Sequence, residues 1–118
     1  MSTDLRAIFE DIKTQLFAGK AMDIFEQYYA DDVVMQENEN PPIVGKEANR
    51  LREIDFFSKV TEFRGMELKN VAFGDDVIIS EWYNDYTHAE WGSRQYHQVS
   101  VSKWKDGKVV SEKFYYAS

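Results

Sequence analysis

The pattern of apolar residues changes near Glu62, and this change constrains the fold more than any other feature. Before Glu62, apolar side chains recur at steps of three and four residues, which indicates amphipathic helices. After it, four runs rich in β-branched and aromatic residues are separated by short glycine-containing turns. Helices followed by consecutive strands predict an α+β fold, and 118 residues are enough for one domain, 1–118.

The same patterns predict the bounds of the elements. We expect the second helix to end at Asp31-Asp32, and we expect the third helix to face the core through its apolar stripe of Leu51, Ile54 and Phe57. The predicted helices are 3–17, 21–30 and 46–60, and the predicted strands are 33–36, 62–73, 77–90, 94–105 and 108–117.

Charge and composition exclude several classes of function. A formal net charge of -7 without a basic cluster argues against nucleic-acid partners and against an anionic membrane surface. The absence of cysteine excludes disulfides and thiolate ligands for zinc. No apolar run has membrane length, and no phosphate loop or nucleotide fingerprint occurs, so we expect a cytoplasmic protein without a cofactor.

The turn at Gly92-Ser93 predicts which strand residues face each other. As a two-residue hairpin turn, it pairs Trp91 with Arg94 and places Asp85 opposite Ser100. One face of the sheet then carries acids, hydroxyls and rings, and the other carries an apolar and aromatic set. Because three helices can cover only one face, we expect the second set to form a homodimer interface. That interface would contain Trp82, Tyr86, His88, His97, Val99 and Val101. The alternative is a monomer in which twist and long polar side chains cover these residues.

Two registers are possible for the last hairpin. A three-residue turn at 105–107 with a glycine bulge places Val110, Glu112, Phe114 and Tyr116 on the mixed polar face. A two-residue Asp106-Gly107 turn places Val109, Ser111, Lys113 and Tyr115 there instead. We favour the first register, because it buries Phe114 beneath the helices and directs Lys113 outward.

Over essentially its whole length, the chain resembles the nuclear transport factor 2-like superfamily, and within it the SnoaL-like and ketosteroid-isomerase-like group. Four segments in this order carry the resemblance: Ala18-Gly19, Tyr29-Ala30-Asp31-Asp32-Val33, Val44-Gly45-Lys46-Glu47-Ala48, and Trp104-Lys105-Asp106-Gly107-Lys108-Val109-Val110. The resemblance implies a cone-shaped, cystatin-like fold, in which three N-terminal helices pack on a curved antiparallel meander around a pocket. It also implies that dimers through the outer sheet face are common among relatives.

The resemblance further implies a catalytic acid at Glu37, directly after the first strand, where ketosteroid isomerases carry a proton-shuttling carboxylate. A one-residue slip would place Gln36, Asn38 or Glu39 there instead, and Glu37 could also be a solvated loop acid. The oxyanion-hole positions of those isomerases correspond to Ile12, which cannot donate a hydrogen bond, and to Ser100. We therefore do not expect isomerisation of 3-oxosteroids.

Further polar residues are candidates for the pocket. Glu81, Asp85 and Glu112 could raise one another's pKa on the mixed face, or could instead pair with Arg50, Arg52 or Arg64. We expect no metal site, because Glu90 is the only obvious third ligand near the pair His88 and His97, and Asp31-Asp32 suits a helix end. The predicted pocket residues are Phe57, Tyr83, Asp85, Gln98, Ser100, Glu112, Phe114 and Tyr116.

Three functions are compatible with this pattern. The first is a cofactor-independent acid–base isomerase, cyclase or lyase that acts on an apolar carbonyl compound, with Glu37 as general base. The second is a non-catalytic homodimer that binds a small apolar ligand. The third is an interaction module that uses the outer sheet face. Fold alone does not decide between them.

Overall fold

The computed structural model describes residues 4–117, so the predicted start of the first helix at residue 3 lies outside the described part. The described residues form three helices and six strands. In order these are α1 (Leu5–Phe17), α2 (Ala21–Tyr28), β1 (Tyr29–Glu37), β2 (Ile43–Val44), α3 (Lys46–Ser58), β3 (Val60–Phe73), β4 (Val77–His88), β5 (Gly92–Lys105) and β6 (Lys108–Tyr115). None of the helices found between residues 4 and 117 has the length and apolar character needed to cross a membrane.

The six strands form one curved, open sheet in the order β2-β1-β6-β5-β4-β3. Strands β3 to β6 form the predicted antiparallel meander, and β1 pairs in parallel with β6. Three register shifts in the β3–β4 ladder mark bulges, which bend strands and increase their twist. The α+β fold predicted from the sequence is therefore confirmed.

The second helix ends earlier than predicted. Tyr29 already has extended backbone angles, and β1 begins there, so the exposed Asp31 and Asp32 lie within the strand. Val33 and Met35 follow on the inner face and are almost completely buried. Because side chains on one face of a strand repeat every two residues, Glu37 shares this face at the end of β1.

The apolar core lies at the end of the sheet that α1 and α2 cover. Phe9 of α1 packs against Trp82 of β4 at a ring distance of 6.2 Å, and Tyr28 of α2 packs against Trp104 of β5 at 6.0 Å. Both tryptophan indole groups donate to serine hydroxyls two residues away, at 3.0 Å. The indoles are thereby buried without an unpaired donor.

Helix α3 turns the opposite face towards the interior from the one that was predicted. Leu51, Ile54 and Phe57 are 60%, 48% and 42% exposed, so Phe57 is not the pocket residue that its apolar character suggested. The physical reason is Asn49, whose fully buried amide donates to the carbonyl oxygens of Ile43 at 3.0 Å and Gly45 at 2.8 Å. This tether sets the rotation of the helix, so that its inward face carries Asn49, Arg52, Glu53 and Phe56.

The β4–β5 hairpin has a three-residue turn, 89–91, rather than the predicted two-residue turn. His88 pairs with Gly92, which takes the positive φ of 76° that favours glycine. The buried His88 ring stacks on Trp91 at 3.8 Å, and its Nδ1 accepts the N–H of Glu90 at 3.1 Å. These contacts hold the longer turn.

The longer turn reverses the predicted faces of β4. Trp82, Tyr86 and His88 point inward and are 8%, 5% and 2% exposed, so they do not form an outer interface. Tyr83 and Asp85 point outward and are not pocket residues. The predicted faces of β5 are correct: Gln98 and Ser100 point inward, whereas His97, Val99 and Val101 point outward.

The last hairpin combines parts of both predicted registers. Asp106 and Gly107, with φ of 54° and 77°, form a two-residue turn, and a register shift follows one step later between Lys103 and Trp104. The shift restores the favoured register, so Glu112, Phe114 and Tyr116 point inward as predicted. Val109, rather than Val110, is the buried valine of this strand.

Candidate functional site

A buried carboxyl group lies at the centre of the inner face. Glu112 of β6 is 9% exposed. Its Oε2 accepts a hydrogen bond from the Ser100 hydroxyl of β5 at 2.7 Å, and its Oε1 accepts one from the Tyr29 hydroxyl at the start of β1. Three separate strands therefore supply this hydrogen-bonded group, and its geometry depends on the packing of the whole sheet.

Helix α3 adds a second group of charges next to Glu112. The Arg52 guanidinium lies 2.9 Å from Glu37 Oε2 and 3.4 Å from Glu53 Oε1. The Arg52 Nε is buried and has no hydrogen-bond partner within residues 4–117. We call Glu37, Arg52, Glu53 and Glu112 the acid cluster. It contains three carboxyl groups and a single guanidinium.

Burial and mutual repulsion alter proton binding in the acid cluster. The pKa of Glu53 is raised to about 7. Burial is the main cause, Arg52 partly opposes it, and the negative charges of Glu112 and Glu37 raise the pKa further. Burial also raises the pKa of Glu112, against the hydrogen bonds from Tyr29 and Ser100 and the charge of Arg52. A carboxyl group with a pKa near 7 can both accept and donate a proton at physiological pH.

Aromatic side chains line the inner face beyond the acid cluster. The hydroxyl groups of Tyr86 and Tyr96 are 2.7 Å apart, and the rings of Tyr96 and Tyr116 are 5.4 Å apart. Phe56 of α3 packs edge-on against Tyr86 at 5.6 Å. Burial raises the pKa of Tyr116, and the charge of Glu37 raises it further, which places this hydroxyl close to the acid cluster. The inner face thus combines charged groups with a wall of rings.

The structure brings together most, but not all, of the predicted pocket residues. Glu37, Gln98, Ser100, Glu112, Phe114 and Tyr116 lie on the inner face. The outward-facing Asp85 pairs with Arg64 at 2.7 Å, and hydrogen bonds from Gln95 and Arg64 lower its pKa. Glu81 also points outward, where Asn70 and His97 contact it. The general-base role predicted for Glu37 stays a prediction.

The two histidines lie on opposite faces of the sheet and do not meet. His88 is buried beside Phe56, and His97 contacts Glu81 on the outside. Across residues 4–117, no group of three His, Cys, Asp or Glu side chains has the arrangement of a metal site.

Sequence reasoning missed Tyr29 and Glu53, and it considered Arg52 only as an ion-pair partner for acids of the sheet. A signal for the helix residues was present, because Asn49, Arg52, Glu53 and Phe56 recur at steps of three and four residues and so share one face. Either this polar stripe or the apolar stripe at Leu51 and Ile54 can face the interior, but not both. An apolar stripe is normally the buried one, so the pattern alone favoured the wrong face.

Known proteins agree with this architecture. The family model described as SnoaL-like domain matches residues 3–116. A proposed SnoaL-like polyketide cyclase from Mesorhizobium loti is 26% identical, with a TM-score of 0.85 over 97% of this chain and 100% of that chain. No curated protein sequence matches the chain.

Two more distant solved structures share the fold. A proposed isomerase from Bacillus subtilis is 19% identical with a TM-score of 0.72, covering 88% of this chain and 79% of that one. A LEH-like epoxide hydrolase from M. tuberculosis is 14% identical with a TM-score of 0.72, covering 90% and 79%. The match of the family model over nearly the full length, together with the curved sheet around an inward-facing polar cluster, shows that this chain belongs to the SnoaL-like domain family.

Proposed function

We propose that the protein is a cofactor-independent acid–base enzyme, an isomerase, cyclase or lyase that acts on a small apolar carbonyl compound. The observation that carries this proposal is the desolvated Glu53, which lies beside Arg52 and near two further carboxyl groups. Such a group can remove a proton from a carbon next to a carbonyl and return it elsewhere on the molecule.

The proposal assigns the transferred proton to Glu53 rather than to Glu37. Glu37 forms the shorter contact with Arg52, 2.9 Å against 3.4 Å, and its side chain is more exposed. Its negative charge is therefore better balanced by the guanidinium and by water. In this assignment Glu37 orients Arg52, and it is the second candidate for the base.

Nearby donors can stabilise the negative charge that develops on the carbonyl oxygen. Arg52 has a buried N–H without a partner in residues 4–117, and the Tyr116 hydroxyl lies on the same side of the inner face. Donors held in a water-poor site are usually the largest contribution to this type of catalysis. The wall formed by Tyr86, Tyr96 and Phe56 suits an apolar substrate.

Exchange of α-hydrogens tests the proposal without knowledge of the natural substrate. We expect the protein to accelerate deuterium incorporation into 2-tetralone in D2O, as measured by proton NMR. The rate should rise with pH and reach half its maximum near pH 7, where Glu53 loses its proton. A rate equal to that in buffer, measured with 2-tetralone shown to bind, would contradict the enzyme and favour the second function, a non-catalytic ligand-binding homodimer.

The proposed homodimer uses the outer sheet face, with a revised set of residues. Ile79 and Tyr115 are 41% and 43% exposed there, beside Val99 and Val101. A shallow concavity of about 420 Å³ on this face is lined by Asn70, Val71, Ala72, Ile79, Glu81 and Val99. A second copy would cover this apolar surface.

Sedimentation velocity tests the dimer. We expect a species of twice the 13.9 kDa chain mass at micromolar concentration, and we expect Ile79→Glu to shift it to the monomer. Ile54→Glu, at an exposed position on α3, is the matched control and should leave the dimer intact. A monomeric parent protein, or dissociation by Ile54→Glu instead, would contradict the proposed interface.

A further inference from the structure

One arginine on the inner face has no carboxylate partner in the part of the chain that the structure describes. Arg94 lies on β5 opposite Tyr86, near the β4–β5 turn, and its side chain is partly buried. Its guanidinium carbon lies 5.0 Å from the centre of the Tyr96 ring. The contact with Tyr96 directs the cation along the same aromatic wall that borders the acid cluster.

Arg94 differs from the other partly buried arginines of the chain. Arg50 and Arg52 each form ion pairs with two carboxylates. Within residues 4–117, the side chain of Arg94 forms no ion pair and no hydrogen bond, and its buried Nε has no partner. A desolvated guanidinium N–H is costly unless an acceptor reaches it. A ligand that carries an acceptor group could satisfy this donor.

The surroundings of Arg94 define what kind of acceptor would fit. The planar guanidinium matches a carboxylate, which can accept two parallel hydrogen bonds. The ring of Tyr96 lies beside it, and the rings of Tyr86 and Tyr116 have their centres 5.9 Å and 5.4 Å from that of Tyr96. A flat apolar body attached to the carboxylate would contact these rings.

We infer that Arg94 binds a carboxylate of the ligand, and that the carbonyl compound proposed above is a small aromatic or alicyclic molecule that also carries a carboxylate. The inference rests on the proposed function in one respect, namely that the substrate occupies this inner face. The carboxylate would lie at Arg94, and the body of the molecule would extend past Tyr96 and Tyr116 towards Arg52 and Glu53.

The acid cluster does not prevent an anion from binding at this position. Arg52 offsets part of the negative charge of Glu37 and Glu53, to which it is paired directly. Arg94 contacts the ring of Tyr96, which contacts the ring of Tyr116, and it is Tyr116 that the charge of Glu37 affects. An anion bound at Arg94 would therefore contact the rings before it reached Glu37. A cationic ligand would show the opposite preference, because it would be attracted to the acid cluster and repelled by Arg94.

Three probes of similar size and different charge test the inference. Isothermal titration calorimetry at pH 8 would compare naphthalene-2-carboxylate, naphthalene-2-carboxamide and 2-naphthylmethylammonium. We expect the protein to bind the carboxylate about tenfold more tightly than the amide, as is typical of a charge-assisted hydrogen bond. Arg94→Met should abolish this preference and leave the affinity for the amide within about twofold.

Arg6→Met is the matched control. Arg6 also stacks on a ring, that of Phe73 at 4.5 Å, but it lies on the exposed side of α1. Its replacement removes the same charge and should retain the preference for the carboxylate. Arg94→Lys keeps the charge but not the planar guanidinium, and it should retain part of the preference for the carboxylate. It replaces Arg94→Met in the experiment if circular dichroism shows that Arg94→Met is unfolded.

Several results would overturn the inference. These are equal affinity for carboxylate and amide in the parent protein, no binding of the carboxylate, tightest binding of the ammonium probe, or a preference that survives in Arg94→Met. The measurement involves no turnover. A preference that depends on Arg94 in a protein that does not exchange α-hydrogens would therefore reject the proposed enzyme and keep the ligand class.

Discussion

Glu53→Gln is expected to slow the exchange of 2-tetralone α-hydrogens by about 10²- to 10⁴-fold, the usual contribution of a general acid–base group. Glutamine preserves the size of the side chain and its hydrogen-bonding capacity towards Arg52, but it cannot accept a proton at neutral pH. The variant should therefore bind the compound with little change and lose turnover. Proton NMR in D2O at pH 8 measures the exchange rate, and calorimetry measures binding.

Two further glutamine variants give this experiment its controls. Glu47→Gln lies on the same helix, where the exposed Glu47 pairs with Arg50, and it should keep the full exchange rate. Glu37→Gln should slow exchange less than Glu53→Gln, because it disturbs the position of Arg52 but leaves the base. If Glu37→Gln has the larger effect, Glu37 is the base and our assignment of Glu53 is wrong.

The same substitution, Glu53→Gln, is expected to stabilise the protein at alkaline pH. The pKa of Glu53 rises from 4.5 to about 7 in the folded chain, so the folded state binds this proton more tightly than the unfolded state does. Its contribution to stability is therefore complete below about pH 4.5 and is lost as the pH rises through 7. At about 1.4 kcal/mol per pH unit, the loss is about 3 kcal/mol.

Urea unfolding at pH 5 and pH 8 measures this effect. We expect the free energy of unfolding of Glu53→Gln, relative to the parent protein, to increase by about 2–3 kcal/mol between the two pH values. Glu112 has a raised pKa as well, but it is present in both proteins, so the difference between them mainly reports Glu53. Glu47→Gln should follow the parent protein. Parallel pH dependence of the parent protein and Glu53→Gln would show that Glu53 is not desolvated.

Together the two predictions describe an exchange of stability for activity. A partly buried carboxyl group that repels its neighbours destabilises the fold at the pH where it would act as a base. One substitution should therefore lower activity and raise stability, which is the pattern expected of a functional group and not of a structural ion pair. A structural role for the Arg52–Glu53 contact would predict that both quantities fall together.

Local chemistry was sufficient to predict the order and type of the elements. The apolar periodicity of α1, the β-branched runs after Glu62 and the Asp106-Gly107 turn each depend on neighbours in the chain, and each appears close to its predicted position. The inward direction of Glu112, Phe114 and Tyr116 was also predicted. The favoured register of β6 buries Phe114 and directs Lys113 outward, whereas the alternative register would do the reverse.

Long-range contacts decided the composition of the site. The turn of β4–β5 is one residue longer than predicted because His88 is buried and stacks on Trp91, and this difference reverses every side chain of β4. Helix α3 turns its polar stripe inward because the side-chain amide of Asn49 donates to the carbonyl oxygens of Ile43 and Gly45, just before the first turn of the helix. The amino-acid sequence by itself determined an α+β domain with a carboxylate at the end of its first strand. The position of Arg52 and Glu53 next to Glu112 depends on tertiary packing, because the burial that raises the pKa values of Glu53 and Glu112 exists only where α3 packs over the sheet at β1.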